Sequence, residues 1–362
     1  MKINGVPYRT IWLADDQSTV EIIDQTKLPH EFRIEKLDSV FLAANAIKNM
    51  LIRGAPLIGA AAAYGMALGM KADPSDDNLE KCYDLLFSTR PTAVNLRWAL
   101  DDLKSLLSGI APTERRGAAY KRAADICNED VEICSSIGDH GLLLLKEIYE
   151  KKNQTVNILT HCNAGWLATV DWGTALAPIY KAFNAGIELH VWVDETRPRN
   201  QGASLTAWEL GQHGVSHTII VDNAGGHLMQ HGQVDIVITG TDRTTYTGDV
   251  CNKIGTYLKA LAAKENNIPF YVGLPSPTID WTVADGVKDI PIEERNQDEV
   301  NTMRGKAANG QIVDVQITPD TSSSMNFAFD VTPRHLITGL ITERGISKAN
   351  AEGLRTLFPE CV

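Results

Sequence analysis

Long hydrophobic runs, clustered cysteines and an excess of positive charge are all missing from this 362-residue chain. The longest stretch without Asp, Glu, Lys, Arg or His, Gly54 to Met70, has 17 residues, four of them glycine and one proline. That is the short limit for a membrane span, and the stretch reads better as a buried helix. Six cysteines in a chain this long make no disulfide framework, and no two have the CxxC spacing of a zinc ribbon or a thioredoxin-like motif. The N-terminal MKINGVPYRTIWL has no long apolar core and no small-residue cleavage site, so no signal peptide is expected. Lys plus Arg total 34 against 45 Asp plus Glu, a formal net charge of −11. A surface this acidic repels phosphate backbones, which argues against general nucleic-acid binding but leaves room for a local cationic cluster around one phosphorylated metabolite. These absences predict a cytoplasmic, reduced protein without a membrane segment.

What is present is ordinary core material: 44% hydrophobic and 22% charged residues. At roughly 100–200 residues per domain, the length predicts two domains. Residues 1–25 alternate loosely, as short strands do. From Ser39, apolar Val40, Phe41, Ala44, Ile47 and Met50 recur at helical spacing, with Asp38 or Ser39 as cap. Helices follow over Leu57–Met70, Val94–Leu107 and Arg115–Lys151, the last read as broken. From Thr155 the pattern changes. VNILT, IELHVWV, HTIIV, VDIVIT and IPFYVG read as strands. They alternate with helices near Asp171–Asn184, Ala203–Gln212, Ala224–His231 and Lys253–Asn266, which is the grammar of βαβ units on a parallel sheet. The tail reads as a strand-like IVDVQI and a final helix near Pro333–Arg344. The expected class is α/β, with a small strand-plus-helical domain over residues 1–145 and a parallel-sheet domain over 146–362.

In open α/β sheets, ligands bind beyond the carboxyl ends of the strands. The unusual polar clusters all fall there: His161-Cys162-Asn163, Glu195 to Gln201, Asp222-Asn223, Thr241-Asp242-Arg243 and Pro275. Cys162 follows a buried strand and precedes a helix whose dipole favours a thiolate, although free cysteines are most often small buried hydrophobes. Asp242 is either a loop cap or, if buried among apolar walls, a carboxyl held protonated near neutral pH. Two such groups at one sheet edge are what a proton-shifting enzyme needs. Arg53 with Gly54-Ala55, Arg90, Gln201, and Asn252-Lys253 are candidate anion ligands. Arg53, Arg90 and Lys253 are read as standing at helix starts, where free N–H groups and the dipole favour phosphate. His227 and His231 share an i, i+4 spacing but have no evident third ligand, so no metal is expected. His161 beside Cys162 invites a Cys–His pair, against which adjacent residues at a strand end point opposite ways.

Nine ordered segments carry a resemblance: RGAP (53–56), RPTAVNL (90–96), THCNAG (160–165), ETRPRNQGASLTAWEL (195–210), DNAGGHLM (222–229), GTDR (240–243), GDVCNKIGTY (248–257), IPIEER (290–295) and FDVTP (329–333). Together they resemble the methylthioribose-1-phosphate isomerase family. Its wider relatives are ribose-1,5-bisphosphate isomerases and the regulatory subunits of translation initiation factor 2B. The resemblance implies a Rossmann-like second domain, a homodimer, a small phosphorylated sugar substrate in methionine salvage, and no cofactor. It implies catalytic roles for Cys162 and Asp242, and substrate or phosphate contacts for Arg53, Gly54, Ala55, Arg90, Gln201, Asn252 and Lys253. A 5-deoxyribose 1-phosphate is a second implied substrate, and Trp166 and Pro275 are expected to supply apolar walls for a 5-substituent. Ser204, Thr241, Cys251 and Phe327 depart from the family's usual residues without removing a catalytic group.

Overall fold

The structure, a computed structural model, describes residues 1–361. A two-stranded ribbon, β1 (Lys2–Ile3) and β2 (Val6–Pro7), opens the chain. An antiparallel three-stranded sheet comes next, of β3 (Ile11–Leu13), β4 (Val20–Ile23) and β5 (Ile34–Leu37). Helix α1 (Val40–Lys48) starts as expected at Ser39, whose hydroxyl accepts from the Leu42 N–H. Helix α2 (Ala55–Ala72) is buried on every side from Leu57 to Met70, which explains its composition of small and apolar residues all round. It forms the axis of the first core, with α1, α3 (Asp76–Phe87) and α4 (Val94–Ser108) around it.

Helix α5 (Pro112–Lys152) runs unbroken for 41 residues, contrary to the expected interruption. No proline comes after Pro112 within it, and its internal glycines cost only about 1 kcal/mol each, which packing offsets. Ala119, Ala123, Ile126 and Cys127 of α5 pack in the first core, whereas Leu145 packs in the second, under the large sheet.

The parallel-sheet half contains β6 (Val156–Thr160), α6 (Ala177–Asn184), β7 (Leu189–Asp194), α7 (Ala207–His213), β8 (His217–Ile220), α8 (Ala224–Gln230) and β9 (Ile236–Thr239). α6 starts six residues later than expected because Trp172 and Gly173 both take positive φ and cannot enter a helix. After β9 comes a hairpin the sequence pattern does not announce, β10 (Arg243–Thr245) and β11 (Val250–Lys253), before α9 (Thr256–Glu265) and β12 (Phe270–Gly273). The short elements β13 (Ile279–Asp280), α10 (Gly286–Asp289) and α11 (Asp298–Asn301) are next, then the hairpin β14 (Thr302–Lys306)–β15 (Ile312–Gln316) and β16 (Phe329–Thr332).

The expected helix over Pro333–Arg344 is absent. That segment is a single 3₁₀ turn (Arg334–Leu336) and the strand β17 (Gly339–Thr342), which pairs parallel to β12 and antiparallel to β18 (Gly345–Ser347). All four β17 residues are buried, and a strand buried on both faces shows no alternation to tell it from a helix. Helix α12 (Ala351–Leu357), capped by Asn350, comes last.

Strand order in the large sheet is β18-β17-β12-β9-β6-β7-β8, all parallel but β18. The chain winds from β6 outwards to β8, then returns to the other side of β6 through β9, β12 and β17. This is the Rossmann-type switch, and it opens a crevice between the loops after β6 and β9. A second sheet, β13-β10-β11-β16, covers the crevice. No helix among the described residues is long and apolar enough to cross a membrane.

Candidate active site

All nine residues expected at a site line one recessed cavity at the switch point. Arg53, Gly54 and Ala55 come from the start of α2, Arg90 from the turn before α4, Cys162 from the loop after β6, and Gln201 from the loop after β7. Asp242 comes just after β9, and Asn252 and Lys253 end β11. Pro275 lines the cavity as expected. Trp166 does not: its ring packs 6.3 Å from that of Trp208 in the core under the sheet.

Cys162 sits at φ 66°, a left-handed conformation uncommon outside glycine. Its N–H donates to Thr196 Oγ1 at 2.8 Å and its carbonyl accepts from Thr206 Oγ1 at 2.7 Å, so both hydroxyls hold the bend. The expected α-helical dipole behind Cys162 is missing, since only a 3₁₀ turn (Trp166–Ala168) stands there. Burial pushes the thiol up, and Arg53 and Lys253 pull it back. The net direction stays upward, and what opposes it is side-chain cations and the Asn163 N–H, not a helix dipole. Asp242 is half-buried; desolvation by the surrounding walls raises its carboxyl, opposed by Lys253, Arg90 and Arg53. Loop-capping aspartates in this fold accept backbone N–H groups, as Asp222 does from Thr196 and Arg197. Among the described residues no such bond reaches the Asp242 side chain, which is free to face a ligand.

The cations differ from expectation in their footing. Arg53 does precede a helix, whose N-cap Gly54 has φ 98° and lies so close to Ala168 that a Cβ would come within 2.4 Å of its carbonyl oxygen. Arg90 stands four residues before α4, and Lys253 ends a strand three residues before α9, so neither opens a helix. They are instead held by tertiary contacts. Lys253 Nζ donates to the Ala328 carbonyl at 2.8 Å and lies 4.8 Å over the Phe329 ring. Burial lowers its ammonium, which Cys162 and Asp242 counter. Arg90 pairs with Glu293 at 3.2 Å, yet its Nε is buried without a partner. Gln201 Oε1 is buried and unpartnered as well. One orphan donor and one orphan acceptor in the same cavity suit a ligand carrying both anionic oxygens and hydroxyls.

Arg295 also lines the cavity, and nothing in the sequence marks it beyond its place in IPIEER. It is clamped by Glu293 at 2.7 Å and Glu299 at 2.8 Å. A loop remote from the strand ends gives no positional signal for such a residue; only its motif does. His161 is engaged elsewhere, with Nδ1 2.8 Å from Asp194 Oδ2 and Nε2 2.8 Å from the Ile254 carbonyl, so neither ring nitrogen is left for the Cys162 thiol. His161, Asp194 and Asp222 cluster closely enough to hold a metal ion. The Lys259 ammonium, 3.1 Å from Asp194 Oδ2, already stands where a cation would. His227 and His231 lie with ring centroids 4.2 Å apart and tilted by 44° at the exposed end of α8.

The family model of the initiation factor 2 subunit family matches residues 51–349, a span that contains all nine expected site residues and Arg295. The chain belongs to the initiation factor 2 subunit family. Within that family it is similar over nearly its whole length to proteins named methylthioribose-1-phosphate isomerase. The one from Paramagnetospirillum magneticum is 67% identical, with 99% of each chain covered. The one from Cereibacter sphaeroides is 64% identical, covering 99% of this chain and 98% of the relative. A crystal structure of 5-methylthioribose 1-phosphate isomerase from Pyrococcus horikoshii superposes with a TM-score of 0.84 at 41% identity, covering 98% of this chain and 96% of the other. A structure named translation initiation factor eIF-2B, subunit delta, from A. fulgidus matches with a TM-score of 0.79 at 39% identity, covering 98% and 100%.

Proposed function

We propose that this protein is an aldose–ketose isomerase that converts 5-methylthioribose 1-phosphate to 5-methylthioribulose 1-phosphate; the relatives it resembles are named methylthioribose-1-phosphate isomerase. The observation that carries the reading at the level of chemistry is the convergence of buried Cys162 and half-buried Asp242, two proton-carrying groups, with Arg53, Arg90 and Lys253 in one cavity. Phosphate on the anomeric oxygen blocks simple opening of the ring to an aldehyde, so the ring oxygen must be protonated as the ring opens. Asp242, its carboxyl raised by burial, is the acid for that step. Cys162, as thiolate beside Arg53 and Lys253, takes the proton from C2. The C–H electron pair becomes the C1–C2 double bond of an enol, and the C1–O4 pair leaves with the oxygen that Asp242 protonates. Return of the proton to C1, with loss of the O2 proton to Asp242, yields the ketose. Arg53, Arg90, Lys253, Asn252 and the N–H groups at Gly54-Ala55 hold the phosphate, and the Gln201 oxygen receives a sugar hydroxyl.

We further place the protein in the cytoplasm as a homodimer acting in methionine salvage. We divide it into a strand-and-helix domain over residues 1–145 and a Rossmann-like catalytic domain over 146–362, with α5 shared between their cores. A non-catalytic reading, which the A. fulgidus name brings forward, leaves the cysteine–aspartate pair in the cavity without a task. A bisphosphate substrate needs a second free cationic group, whereas Arg295 is already neutralised by Glu293 and Glu299. Steady-state kinetics on three substrates test the proposal. The highest kcat/KM is expected for 5-methylthioribose 1-phosphate, with 5-deoxyribose 1-phosphate lower by roughly 10- to 200-fold, the worth of one small apolar group. Ribose 1,5-bisphosphate should be slower still. No turnover of the methylthio sugar, or a preference for the bisphosphate, would overturn it.

A further inference from the structure

Outside the residues that line the cavity, a fully buried carboxyl group reaches back towards its phosphate-binding end. Glu209 of α7 has no exposed surface. Its Oε1 accepts from Asn163 Nδ2 at 2.9 Å, and its Oε2 accepts from the Leu167 N–H at 3.1 Å. Burial pushes this carboxyl up to about 8, against the pull of the Leu167 N–H, Asn163 and Arg53. Asn163 in turn receives both arms of the Arg53 guanidinium, Nη1 on its Oδ1 at 2.7 Å and Nη2 on its carbonyl at 2.6 Å. Thr206 Oγ1 takes a second bond from the Asn163 amide, at 3.1 Å. The chain of contacts therefore runs from a buried acid, through an amide that can face only one way, to the cation at the mouth of α2. An Asn side chain has two equivalent-looking orientations, and here Glu209 decides between them: only with Nδ2 towards the carboxyl oxygen does Oδ1 face Arg53. Burial also works against the Arg53 charge, and Cys162, Asp242 and Glu209 counter it. The cradle is cut to this carboxyl group. Gly165 has an ordinary backbone conformation, yet a Cβ there would lie 1.4 Å from Glu209 Oε1. Glycine stands at this position for space, not for flexibility.

We propose that Glu209 is a positioning residue that, through Asn163, aims the Arg53 guanidinium at the phosphate of the substrate. The inference rests on the reading of Arg53 as a phosphate ligand. Glu209→Gln keeps the size of the side chain but sets an amide donor against either Asn163 Nδ2 or the Leu167 N–H, so one of the two contacts is lost. The full-length protein carrying Glu209→Gln should show KM for the sugar phosphate and Ki for inorganic phosphate both raised roughly tenfold, with kcat within about threefold of the parent. Gly165→Ala presses on the same carboxyl from the other side and should give the same split, which keeps the test usable if Glu209→Gln does not fold. A double-mutant cycle then isolates the route. Arg53→Lys keeps the charge but loses the two-armed hold on Asn163, and in that background Glu209→Gln should add little. A fall in kcat with unchanged phosphate Ki, or an equal Glu209→Gln effect in both backgrounds, would overturn the proposal. If Arg53→Lys itself leaves KM and Ki unchanged, the phosphate reading of Arg53 is what failed, and the inference falls with it.

Discussion

Asp130→Asn should change how stability depends on pH, by an amount set by the surroundings of this residue. Asp130 lies on α5 in contact with the loop that supports the site. It is buried; Oδ2 accepts the Val170 N–H at 2.7 Å, and Oδ1 has only the Cys134 thiol, at 3.8 Å. Burial therefore wins over that one backbone bond, and the carboxyl is pushed up from 3.8 to about 7. Below pH 3.8 the folded and unfolded chains both carry the proton, and the group contributes nothing to the pH dependence. As pH rises, the unfolded chain releases the proton first while the folded chain keeps it, so stability falls. Above about pH 7 the folded chain releases it too, and the loss is complete, at about 4 kcal/mol for an upward displacement of this size. The amide introduced by the substitution would be neutral throughout and would keep the Val170 bond through its own oxygen. Denaturant unfolding of parent and variant across roughly pH 4 to 8 should then show the variant gaining on the parent by about 4 kcal/mol over that window. Other carboxyls with displaced titration, such as Glu299, are present in both proteins and cancel in the difference. A difference that stays constant with pH would refute this account, because it would mean that Asp130 is ionised in the folded protein across the whole range.

Two further outcomes concern the site. Cys162→Ser and Asp242→Asn should each lower kcat by at least ~100-fold with unfolding midpoints little changed, and turnover in D₂O should place deuterium at C1; near-parental rates remove the residue concerned, and full retention of the C2 label replaces the proton route by a hydride shift. Gly54→Ala should destabilise the protein by roughly 1–3 kcal/mol and cost activity as well, because the new Cβ meets the Ala168 carbonyl at 2.4 Å and the backbone there has φ 98°; normal stability and activity would show that α2 can shift at no cost to the phosphate end of the cavity.

The parts of this fold that can be read from the chain are those whose burial is uniform or cleanly periodic. α2 announces itself by an apolar surface on all sides, and β6, β7, β9 and β12 by short apolar runs closed by polar loops. β17 fails the same test because a strand buried on both faces has no period. The β10–β11 hairpin fails for the opposite reason. Its residues, Arg-Thr-Thr and Val-Cys-Asn-Lys, are mostly polar, yet all but Arg243 are buried. The partners that make their burial tolerable lie far away in sequence: β16 pairs Asp330 with Asn252 and Phe329 with Lys253. Glu209 is hidden in the same way, since an acid on a helix is ordinarily read as facing solvent until its partners Asn163 and Leu167 are seen.

Lys253 carries the same lesson from fold to function. Its sequence position suggests a cation at a helix start, and that footing is absent. The residue nevertheless lines the cavity, because the hairpin carries it under the mouth of the sheet, against the Phe329 ring and the Ala328 carbonyl. An ammonium so placed is costly in the cavity on its own, where burial already lowers its affinity for a proton and only Cys162 and Asp242 offset the charge. A dianionic phosphate in the same cavity removes that cost for Lys253 and Arg53 together. The same phosphate raises the cost of a Cys162 thiolate and of an ionised Asp242, both of which already resist ionisation through burial. Binding the phosphate therefore favours the protonated acid that ring opening needs. It leaves the thiolate dependent on the two cations being close enough to serve both anions. That requirement accounts for cations drawn from three separate segments, Arg53, Arg90 and Lys253, at a site where one helix N-terminus could have bound a phosphate alone.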